Sequence, residues 1–482
     1  MEAHETSLPF VIDLDGTLIK TDSIDETLLD ALRANPLSIL RWPLRLIHGR
    51  AAFKSFLAEK SPLNVDHWPV REDFLKYVNQ QAQSGRKIVL ATAANQLVAG
   101  AIVCRFPFIS EVITSTPDVN LKGRVKAARL CERFPQGFIY AGNSAADMAV
   151  WRKAAGAVVV NAPLNLVRRV KQLGEPVAVF PHQLFSITIL RRSLRLHQWV
   201  KNALIFVPLV LGGKSGDATA WLKALMGFIA FGLVASATYV INDLWDLPND
   251  RRDPSKRTRP LASGGLSIRA GLLLSLIALA AGFTTAAWVG LSAVATLAIY
   301  LAATLSYSFF CKRVPILDVF VLASLFTFRL WFGILLTDAR WSPWLLVFSM
   351  FVFLSLSMAK RHTELLGIID HGEDSTPGRG YRSSDAPLTL GLGLATMLGA
   401  VLIMILYLID YAFPAGLYPH PVCLWMMPPI LFLFLGRIWI ASQRGELHYD
   451  PVAFALKDRV SLVLGLLMLT SVAAALAPES WP

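Results

Sequence analysis

Two groups of polar residues have a spacing that suits chemistry on phosphate. In the first, FVIDLDGTL, Asp13 and Asp15 stand just after an apolar run that is typical of a strand. Carboxylates two residues apart at a strand end point to the same side. Asp13 could therefore attack phosphorus, while Asp15 protonates the leaving oxygen and later activates water. An accidental acidic turn is the alternative.

In the second group, Asn242, Asp246 and Asp250 recur every four residues, with Asp243 one place after the first, directly after an apolar run. Positions i, i+4 and i+8 lie along one stripe of a helix. Like charges on one stripe near a membrane need compensation. Hard oxygen ligands at this spacing suit Mg²⁺, which bridges diphosphate oxygens. The alternative is a solvated helix end with incidental acids.

The composition shows what kind of chain must position these residues. Of 482 residues 54% are hydrophobic and only 17% charged, and the mean hydropathy is +0.49, which excludes a disordered protein and argues against a single soluble globule. Because basic residues lie between apolar runs, the net charge of +12 indicates the positive-inside bias of a membrane protein and not a nucleic-acid-binding protein. The four scattered cysteines favour neither a zinc site nor a disulfide framework.

Residues 1–180 are predicted to form an α/β Rossmann-like domain without a signal peptide, because short β-branched runs alternate with amphipathic helices. The predicted strands are Phe10–Leu14, Lys87–Thr92, Glu111–Thr114, Phe138–Ala141, Ala157–Val160 and Val177–Phe180. An insertion at about residues 20–75 is predicted to be a small helical cap. Its centre mixes large apolar residues with Arg41, Arg45, Arg50 and Lys54, which suits either a surface on anionic lipid or a cap packed on the core.

After a linker at 181–195, residues 196–482 are predicted to be an all-α polytopic membrane bundle of about nine transmembrane helices. The nine apolar segments are Val200–Gly212, Trp221–Leu244, Ala270–Val289, Leu291–Phe310, Leu317–Leu336, Pro343–Met358, Leu388–Leu408, Val422–Ile440 and Val460–Ala475. The basic clusters precede the first segment and follow the second, fourth, sixth and eighth. The positive-inside rule therefore places the N-terminal domain in the cytoplasm, the chain in the cell (inner) membrane and the C-terminus on the opposite side.

The membrane half resembles the UbiA superfamily of intramembrane transferases. The resemblance rests on N-D-x-x-D-x-x-x-D at the end of the second segment, followed by R-P-L-x-S-G. It implies a nine-helix bundle with a cavity open to the cytoplasm, in which Asn242, Asp246 and Asp250 hold Mg²⁺ on a diphosphate. Ordinary members carry a second D-x-x-x-D after segment six. Here that place reads MAKRHTELLG, and Lys and Arg bind phosphate oxygens directly.

This departure, with QWVKN, Y-S-x-x-x-K, R-G-Y-R and G-E-x-H-Y-D-P-V, resembles the decaprenyl-phosphate phosphoribosyltransferase branch. The branch implies phosphoribosyl diphosphate and a polyprenyl phosphate lipid as partners, and Asp246 and Asp250 as catalytic residues. The predicted substrate-binding residues here are Lys201, Asn202, Tyr307, Lys312, Lys360, Arg361, Glu364 and Arg382.

Structural roles compete for several of these residues. Lys201 and Lys312 also suit positive-inside anchors, and Tyr307 suits an interfacial aromatic. Asp450 suits either a direct site role or an ion pair with a nearby arginine. Asp318 and Arg329 in the fifth segment could pair within the bundle or line the cavity.

The N-terminal half resembles the haloacid dehalogenase (HAD) superfamily through D-x-D-G-T. In the order that family implies, Thr92 would hold the phosphate, Lys126 would balance its charge, and the GNSAAD loop would supply Asn143 and Asp147. The metal ligands implied are Asp13, Asp15, Asn143 and Asp147. Asn143 replaces the Asp that is common at its position, which reduces the negative charge on the metal.

Together these features predict a bifunctional Mg²⁺-dependent enzyme. A membrane transferase would make polyprenyl-phosphoryl phosphoribose, and the attached phosphatase would remove the 5-phosphate. The alternative enzyme is a prenyltransferase that moves a prenyl group from a prenyl diphosphate to an aromatic or other small acceptor. A transporter or scaffold would explain the spans but not the two acidic motifs. The sequence does not set the oligomeric state.

Overall fold

The computed structural model describes residues 8–43, 47, 49–116, 119–182, 186–372, 374, 379–414, 416, 418–447 and 450–477. The chain divides into two compact units. The N-terminal unit contains Met1–Leu194 together with Val240–Leu274, and the membrane unit contains Arg195–Tyr239 together with Ser275–Pro482. The domain boundary expected at 181–195 stays a prediction.

A six-stranded parallel sheet forms the centre of the N-terminal unit, in the order β3-β2-β1-β4-β5-β6. Its strands are β1 Phe10–Ile12, β2 Ile88–Asn95, β3 Ile109–Ser115, β4 Ile139–Gly142, β5 Gly156–Val160 and β6 Ala178–Phe180. The prediction of a parallel sheet is confirmed. Strand order reverses between β1 and β4, and in open parallel sheets ligands bind beyond the carboxyl ends of the strands at such a point.

Alternation along the strands explains why both faces of the sheet are covered. Ile12 and Leu90 face one apolar core, whereas Val11 and Val89 face the other. Strands buried on both faces are rich in Val, Ile and Leu, as these are. The helices of this part are α1 Ser23–Ala34, α2 Arg50–Lys60, α3 Glu72–Gln83, α4 Gln96–Arg105, α5 Arg124–Arg133, α6 Met148–Trp151, α7 Leu164–Lys171 and α8 Ile187–Ser193.

The insertion after β1 is helical, as expected for a cap packed on the core, which was one of the two alternatives. Apolar residues of α1 and α2 share a small core around Ala31, Phe53 and Leu57. Between these helices Leu37 and Leu40 are each 74% exposed. The lipid-facing alternative also involved Arg45, which lies outside the described residues, and the side chains of Arg41 and Arg50, which are likewise not described.

The motif made of Asn242, Asp243, Asp246 and Asp250, which we call the acidic motif, belongs to the N-terminal unit. Helix α10, Ala218–Trp245, ends within the motif, and the short helix α11, Leu247–Arg252, follows. We call Val240–Leu274 the acidic segment. Its apolar residues, including Leu244, Leu247 and Leu266, form a core of their own that also receives Leu29 of α1.

The membrane unit is helical. It contains α9 Val207–Leu211, α13 Leu291–Phe309, α14 Leu317–Thr337, α15 Pro343–Asp370, α16 Ala386–Tyr407, α17 Met427–Gln443, α18 Pro451–Ala455, α19 Arg459–Ala475 and parts of α10 and of α12 Ile268–Val289. Among the described residues, seven helical stretches are long and apolar enough to cross a membrane. They correspond to predicted segments two to eight.

The first and ninth predicted segments correspond to shorter apolar helical stretches, Leu196–Leu211 and Arg459–Ala475. The count of nine spans therefore stays a prediction. Close approach within the bundle depends on small residues, as is usual where helices pack in lipid. A Cβ on Gly232 would lie 2.8 Å from the ring of Trp199, whose indole N–H donates to Ser236 Oγ at 2.9 Å.

Candidate active sites

Asp13 and Asp15 lie in the loop after β1, where the strand order reverses. The Asp13 N–H donates to the carbonyl of Ala141 at 3.0 Å, which fixes the start of this loop against β4. Gly16 has a φ of +71°, and a Cβ there would lie 2.1 Å from Nδ2 of Asn143. The loop therefore requires glycine, which adopts a positive φ and leaves room for the amide.

Lys126 on α5 lies against the predicted nucleophile. Its Nζ donates to Asp13 Oδ1 at 2.8 Å and to Tyr140 Oη at 3.1 Å, and the Tyr140 hydroxyl donates to Asp147 Oδ1 at 2.8 Å. Burial raises the pKa of Asp13, and the Lys126 charge acts in the opposite direction. Tyr140 was missed by sequence analysis, because a tyrosine inside a buried strand looks like an ordinary core residue.

Asp15 is held by the first residue of α1. Its carboxylate accepts from the Ser23 N–H at 2.7 Å and from the Ser23 hydroxyl at 3.1 Å. Burial, and after it the neighbouring charges of Asp22 and Asp13, raise the pKa of Asp15 to about 7. A carboxyl group that titrates near neutral pH can both give and take a proton, as a general acid and base must.

The GNSAAD loop is organised around Asp147. Asp147 Oδ2 accepts from the N–H groups of Asn143 and Ser144 at 3.2 and 2.9 Å and from the Ser144 hydroxyl at 2.8 Å. Thr92 is fully buried, and its hydroxyl accepts from the Ala94 N–H at 3.0 Å. Strand β2 continues past Thr92 to Asn95, so that the next residue, Ala93, lines the adjacent cavity.

A cavity of about 290 Å³ joins these groups. Its lining includes Asp13, Asp15, Lys20, Asp22, Lys54, Lys122, Lys126, Asn143, Ser144, Asp147 and Ser267. Its carboxylate and amide oxygens are the donors that Mg²⁺ prefers, and its ammonium groups suit a phosphate. In the described part of the chain, however, no three His, Cys, Asp or Glu side chains form a group that could hold a metal. Metal binding here therefore stays a prediction.

The acidic motif keeps its four-residue spacing although it is not one continuous helix. Helix α10 ends at Trp245, and Asp246 is the N-cap residue of α11. The Asp246 N–H donates to the Asn242 carbonyl at 2.8 Å, and the Asp250 N–H donates to the Asp246 carbonyl at 2.9 Å. These bonds maintain a helical pitch across the junction, so the expected stripe is preserved in outline.

Arg259, in the R-P-L-x-S-G run, bonds two carboxylates of the motif. Its Nη1 lies 2.6 Å from Asp250 Oδ2 and 3.2 Å from Asp243 Oδ1. Burial raises the pKa of Asp250 to about 6, and Arg259 opposes that shift. Both carboxylates therefore converge on one cationic nitrogen. Two converging carboxylates have the charge and chemistry that a divalent cation prefers, and Arg259 is their present counter-ion. Because no group of three such side chains is found among the described residues, metal binding by this motif stays a prediction.

In the membrane unit, Lys201 and Lys360 share one carboxylate. Lys201 Nζ lies 2.8 Å from Asp450 Oδ2, and Lys360 Nζ lies 3.9 Å from the same oxygen. Burial acts to raise the pKa of Asp450, but the two ammonium groups outweigh it and hold this pKa below its ordinary value. Two cations and one anion leave a surplus positive charge, which suits a phosphate. We call these three residues the lysine cluster.

Arg361 lies in a separate buried network. Its Nε is 2.9 Å from Asp318 Oδ2, and Glu364 bonds its Nη1. Arg379 contacts the same two carboxylates at 3.6 and 3.5 Å, and the Tyr381 hydroxyl donates to Asp318 Oδ1 at 2.6 Å. Arg361 is 1% exposed and Asp318 is fully buried. The charges of Arg361 and Arg379 are thus balanced by carboxylates within the network.

The pairing of Asp318 with Arg329 that we considered does not occur. Arg329 instead donates to Asn202 Oδ1 at 2.9 Å and to the Leu325 carbonyl at 2.5 Å. The two residues lie eleven positions apart, about three helical turns, which places them too far apart along α14 to meet.

The remaining predicted residues are distributed around these groups. Arg379 Nη1 donates to the Tyr307 hydroxyl at 3.4 Å, which links Tyr307 to the Arg361 network. Lys312 is buried, and Arg382 is exposed with its backbone N–H bonded to Asp385. In the G-E-x-H-Y-D-P-V run, His448 and Tyr449 lie outside the described residues.

Comparison with known proteins shows what the membrane part resembles. The model of the UbiA prenyltransferase family matches residues 203–476. The chain is also similar to the structure of a UbiA homolog from Archaeoglobus fulgidus bound to GPP and Mg²⁺. The TM-score is 0.46 at 17% identity, over 61% of this chain and 99% of that one.

Three curated relatives illustrate the range of similarity. The uncharacterized protein y4nM of Sinorhizobium fredii is 41% identical over 97% of this chain and 91% of its own length. The nodulation protein NoeC of Azorhizobium caulinodans is 34% identical over 56% of this chain and 88% of its own length. The decaprenyl-phosphate phosphoribosyltransferase of Mycobacterium tuberculosis is 30% identical over 59% of this chain and 93% of its own length.

Proposed function

Because the chain belongs to the UbiA prenyltransferase family, a family of multi-pass membrane transferases, we propose that it moves 5-phosphoribose from phosphoribosyl diphosphate to a polyprenyl phosphate. The observation that carries this proposal is the lysine cluster, in which Lys201 and Lys360 exceed the charge of Asp450. A basic cluster suits an acceptor phosphate, whereas a second acidic motif would suit one metal-bound prenyl diphosphate. The similarity to decaprenyl-phosphate phosphoribosyltransferases supports the same choice.

The acidic motif is proposed to hold the donor. Asn242, Asp243, Asp246 and Asp250 would bind Mg²⁺, which neutralises charge on the leaving diphosphate. Arg259 would exchange its carboxylate partners for diphosphate oxygens, for which a guanidinium has matching geometry. Lys312 and Arg382 are proposed as further contacts to donor or acceptor phosphate.

The lysine cluster is proposed to position the acceptor. Lys201 and Lys360 would hold the lipid phosphate through charge-assisted hydrogen bonds, with Asn202, Tyr307, Arg361 and Glu364 supporting the pocket. An oxygen of that phosphate forms the new bond to C1 of ribose as the bond from C1 to the diphosphate oxygen breaks. Since no covalent enzyme intermediate is needed, the chain contributes through positioning and electrostatics.

A second activity is proposed for the N-terminal unit, as a HAD-type phosphatase. The specific support is the contact of Lys126 with Asp13, and of Ser23 with Asp15. Asp13 would attack the phosphorus of a phosphomonoester while Asp15 protonates the leaving oxygen, and water would then release phosphate from the aspartyl intermediate. Thr92, Lys126, Asn143 and Asp147 would orient the phosphate and a Mg²⁺ ion. The 5-phosphate of the transferase product is the proposed substrate.

We also propose that the N-terminal unit lies on the cytoplasmic side of the inner membrane, because the basic clusters fall in the loops on that side. With the nine predicted spans, this orientation places the C-terminus outside. Reporter fusions to the C-terminus that are active only in the periplasm test this orientation, and a cytoplasmic reporter signal contradicts it.

The deciding experiment offers purified protein two pairs of substrates. One reaction contains phosphoribosyl diphosphate, Mg²⁺ and polyprenyl phosphate, and the other contains prenyl diphosphate, Mg²⁺ and an aromatic acceptor. Consumption of polyprenyl phosphate with release of diphosphate supports the proposal. The family's description as prenyltransferases favours the second pair as the alternative, and consumption of prenyl diphosphate alone would replace our proposal with it.

A further inference from the structure

The cap helix α1 of the N-terminal unit contacts the acidic segment through a buried ion pair. Arg251 Nη2 lies 2.6 Å from Glu26 Oε1, and Nη1 lies 3.0 Å from Oε2, so the pair is bidentate. The side chains are 5% and 3% exposed. Arg251 directly follows Asp250, the last acid of the motif. Paired forks of this kind fix orientation as well as distance.

A second contact holds the end of the helix that carries the motif. Arg33 Nη2 donates to the Leu244 carbonyl at 2.6 Å, and Nε donates to the Trp245 carbonyl at 2.9 Å. The last carbonyls of a helix have no partner within the helix, so an outside donor that bonds them stabilises the helix end at that point. Asp30 accepts from Arg33 Nη1 at 2.6 Å and holds the guanidinium in place. The two bonded carbonyls lie between Asp243 and Asp246.

Two further contacts support the same surface. Leu29, on the same helix, packs into the apolar core of the acidic segment. Arg269 bonds Asp25 and Asp22 at 2.9 and 3.2 Å, but its side chain is 66% exposed, so this pair contributes little. The buried contact of Glu26 and the part-buried contacts of Arg33 therefore dominate.

The opposite end of α1 holds the other candidate site. Ser23, its first residue, bonds the carboxylate of Asp15 through both N–H and hydroxyl. One twelve-residue helix thus contacts the phosphatase-like loop through Ser23 and the acidic segment through Glu26 and Arg33.

We infer that α1 sets the geometry of the acidic motif, with Glu26 and Arg33 as positioning residues for the metal that the motif binds. This inference rests on the proposed function of the motif. Neither residue supplies a ligand. Glu26 fixes Arg251 after the motif, and Arg33 fixes the two carbonyls inside it, so that Asp246 stands at a defined break between α10 and α11.

Binding of Mn²⁺ to the purified full-length protein, followed by electron paramagnetic resonance, tests the inference without activity. The class of sites that Asp246→Ala removes is assigned to the acidic motif. We expect the affinity of this class of sites for Mn²⁺ to fall by about tenfold or more in Arg33→Ala and in Glu26→Gln. This is the usual loss of metal affinity when a partner that orients the metal ligands is removed. Arg133→Ala is the matched control, since that exposed arginine pairs with Glu111 on the surface.

The transferase assay gives an independent readout. The Mg²⁺ concentration for half-maximal rate should rise in both variants, while the KM for polyprenyl phosphate stays unchanged. If Arg33→Ala does not yield a monodisperse protein, Arg33→Lys, which cannot reach both carbonyls, and Glu26→Gln carry the test. Unchanged Mn²⁺ affinity and Mg²⁺ dependence in the folded variants overturn the inference and leave the proposed function intact. If Asp246→Ala removes no Mn²⁺ site, the proposed role of the motif fails instead.

Discussion

Lys201 and Asp450 are 249 positions apart in the chain, yet Nζ of one lies 2.8 Å from Oδ2 of the other. The carboxylate also attracts Lys360, so a single acid organises both lysines. The two ammonium groups carry one more positive charge than the carboxylate neutralises. The second lysine leaves positive charge for an anionic ligand.

Lys201→Ala should therefore weaken binding of the acceptor, polyprenyl phosphate, more than binding of the donor, phosphoribosyl diphosphate. A hydrogen bond to a charged group contributes about 1.5–3 kcal/mol, which corresponds to a rise of about tenfold or more in the KM for polyprenyl phosphate. The KM for phosphoribosyl diphosphate should change little. Lys223→Ala is the control, because its side chain is 44% exposed and its Nζ lies 3.8 Å from Asp338 Oδ2. Equal rises in both KM values would contradict an acceptor role.

Asp246→Ala should abolish transfer and leave the bundle folded. The carboxylate sits at the junction of two helices in the acidic motif, where loss of a metal ligand removes the charge that stabilises the leaving diphosphate. Asp253→Ala is the comparison variant, since Asp253 lies three residues beyond the motif and pairs with Lys256. Turnover is measured as diphosphate release, with and without a chelator. Near-normal turnover of Asp246→Ala would remove the metal assignment.

Asp13→Asn should block dephosphorylation and spare transfer. The amide keeps the shape of the side chain and its contact with Lys126, but it cannot attack phosphorus. In the coupled reaction, lipid-linked ribose should retain its 5-phosphate, as mass spectrometry of the extracted lipids would show. Glu132→Gln serves as the control, because that carboxylate is 68% exposed and pairs with Arg129 on the surface. If the phosphorylated lipid does not accumulate, the two activities are not sequential.

Arg361→Ala should destabilise the membrane unit strongly. It would leave Asp318, which is fully buried, without its nearest counter-ion, and removing one partner of a buried pair costs about 3–5 kcal/mol. Replacing both partners, in Arg361→Met with Asp318→Leu, should recover most of the thermal stability measured in detergent. A stable single variant with impaired lipid binding would instead assign Arg361 to the acceptor site.

The sequence was most informative where the chemistry is local. The parallel sheet, seven of the apolar segments and the spacing of both acidic motifs follow from periodicity and residue type within short windows. The position of Lys126 beside Asp13 was expected from the order of motifs in the HAD superfamily. By contrast, Tyr140 and the shared use of Asp450 depend on tertiary contacts that no local pattern encodes. Asp318 was recognised as unusual, but its partner, Arg361, lies on another helix.

Helix boundaries explain a further difference. The four-residue spacing predicted one unbroken stripe from Asn242 to Asp250, whereas α10 stops at Trp245. The stop is set by Pro248 near the start of α11 and by the side chain of Arg33, more than two hundred residues earlier. Proline is visible in the sequence, but a distant arginine that bonds terminal carbonyls is not.

The buried pairing of Glu26 with Arg251 also constrains how this chain can evolve. A change at either position leaves an uncompensated charge inside the protein, so drift on one side is tolerated only with a matching change on the other. Related sequences should accordingly exchange these two residues together, and a relative that lacks the N-terminal part should carry a neutral side chain where Arg251 stands.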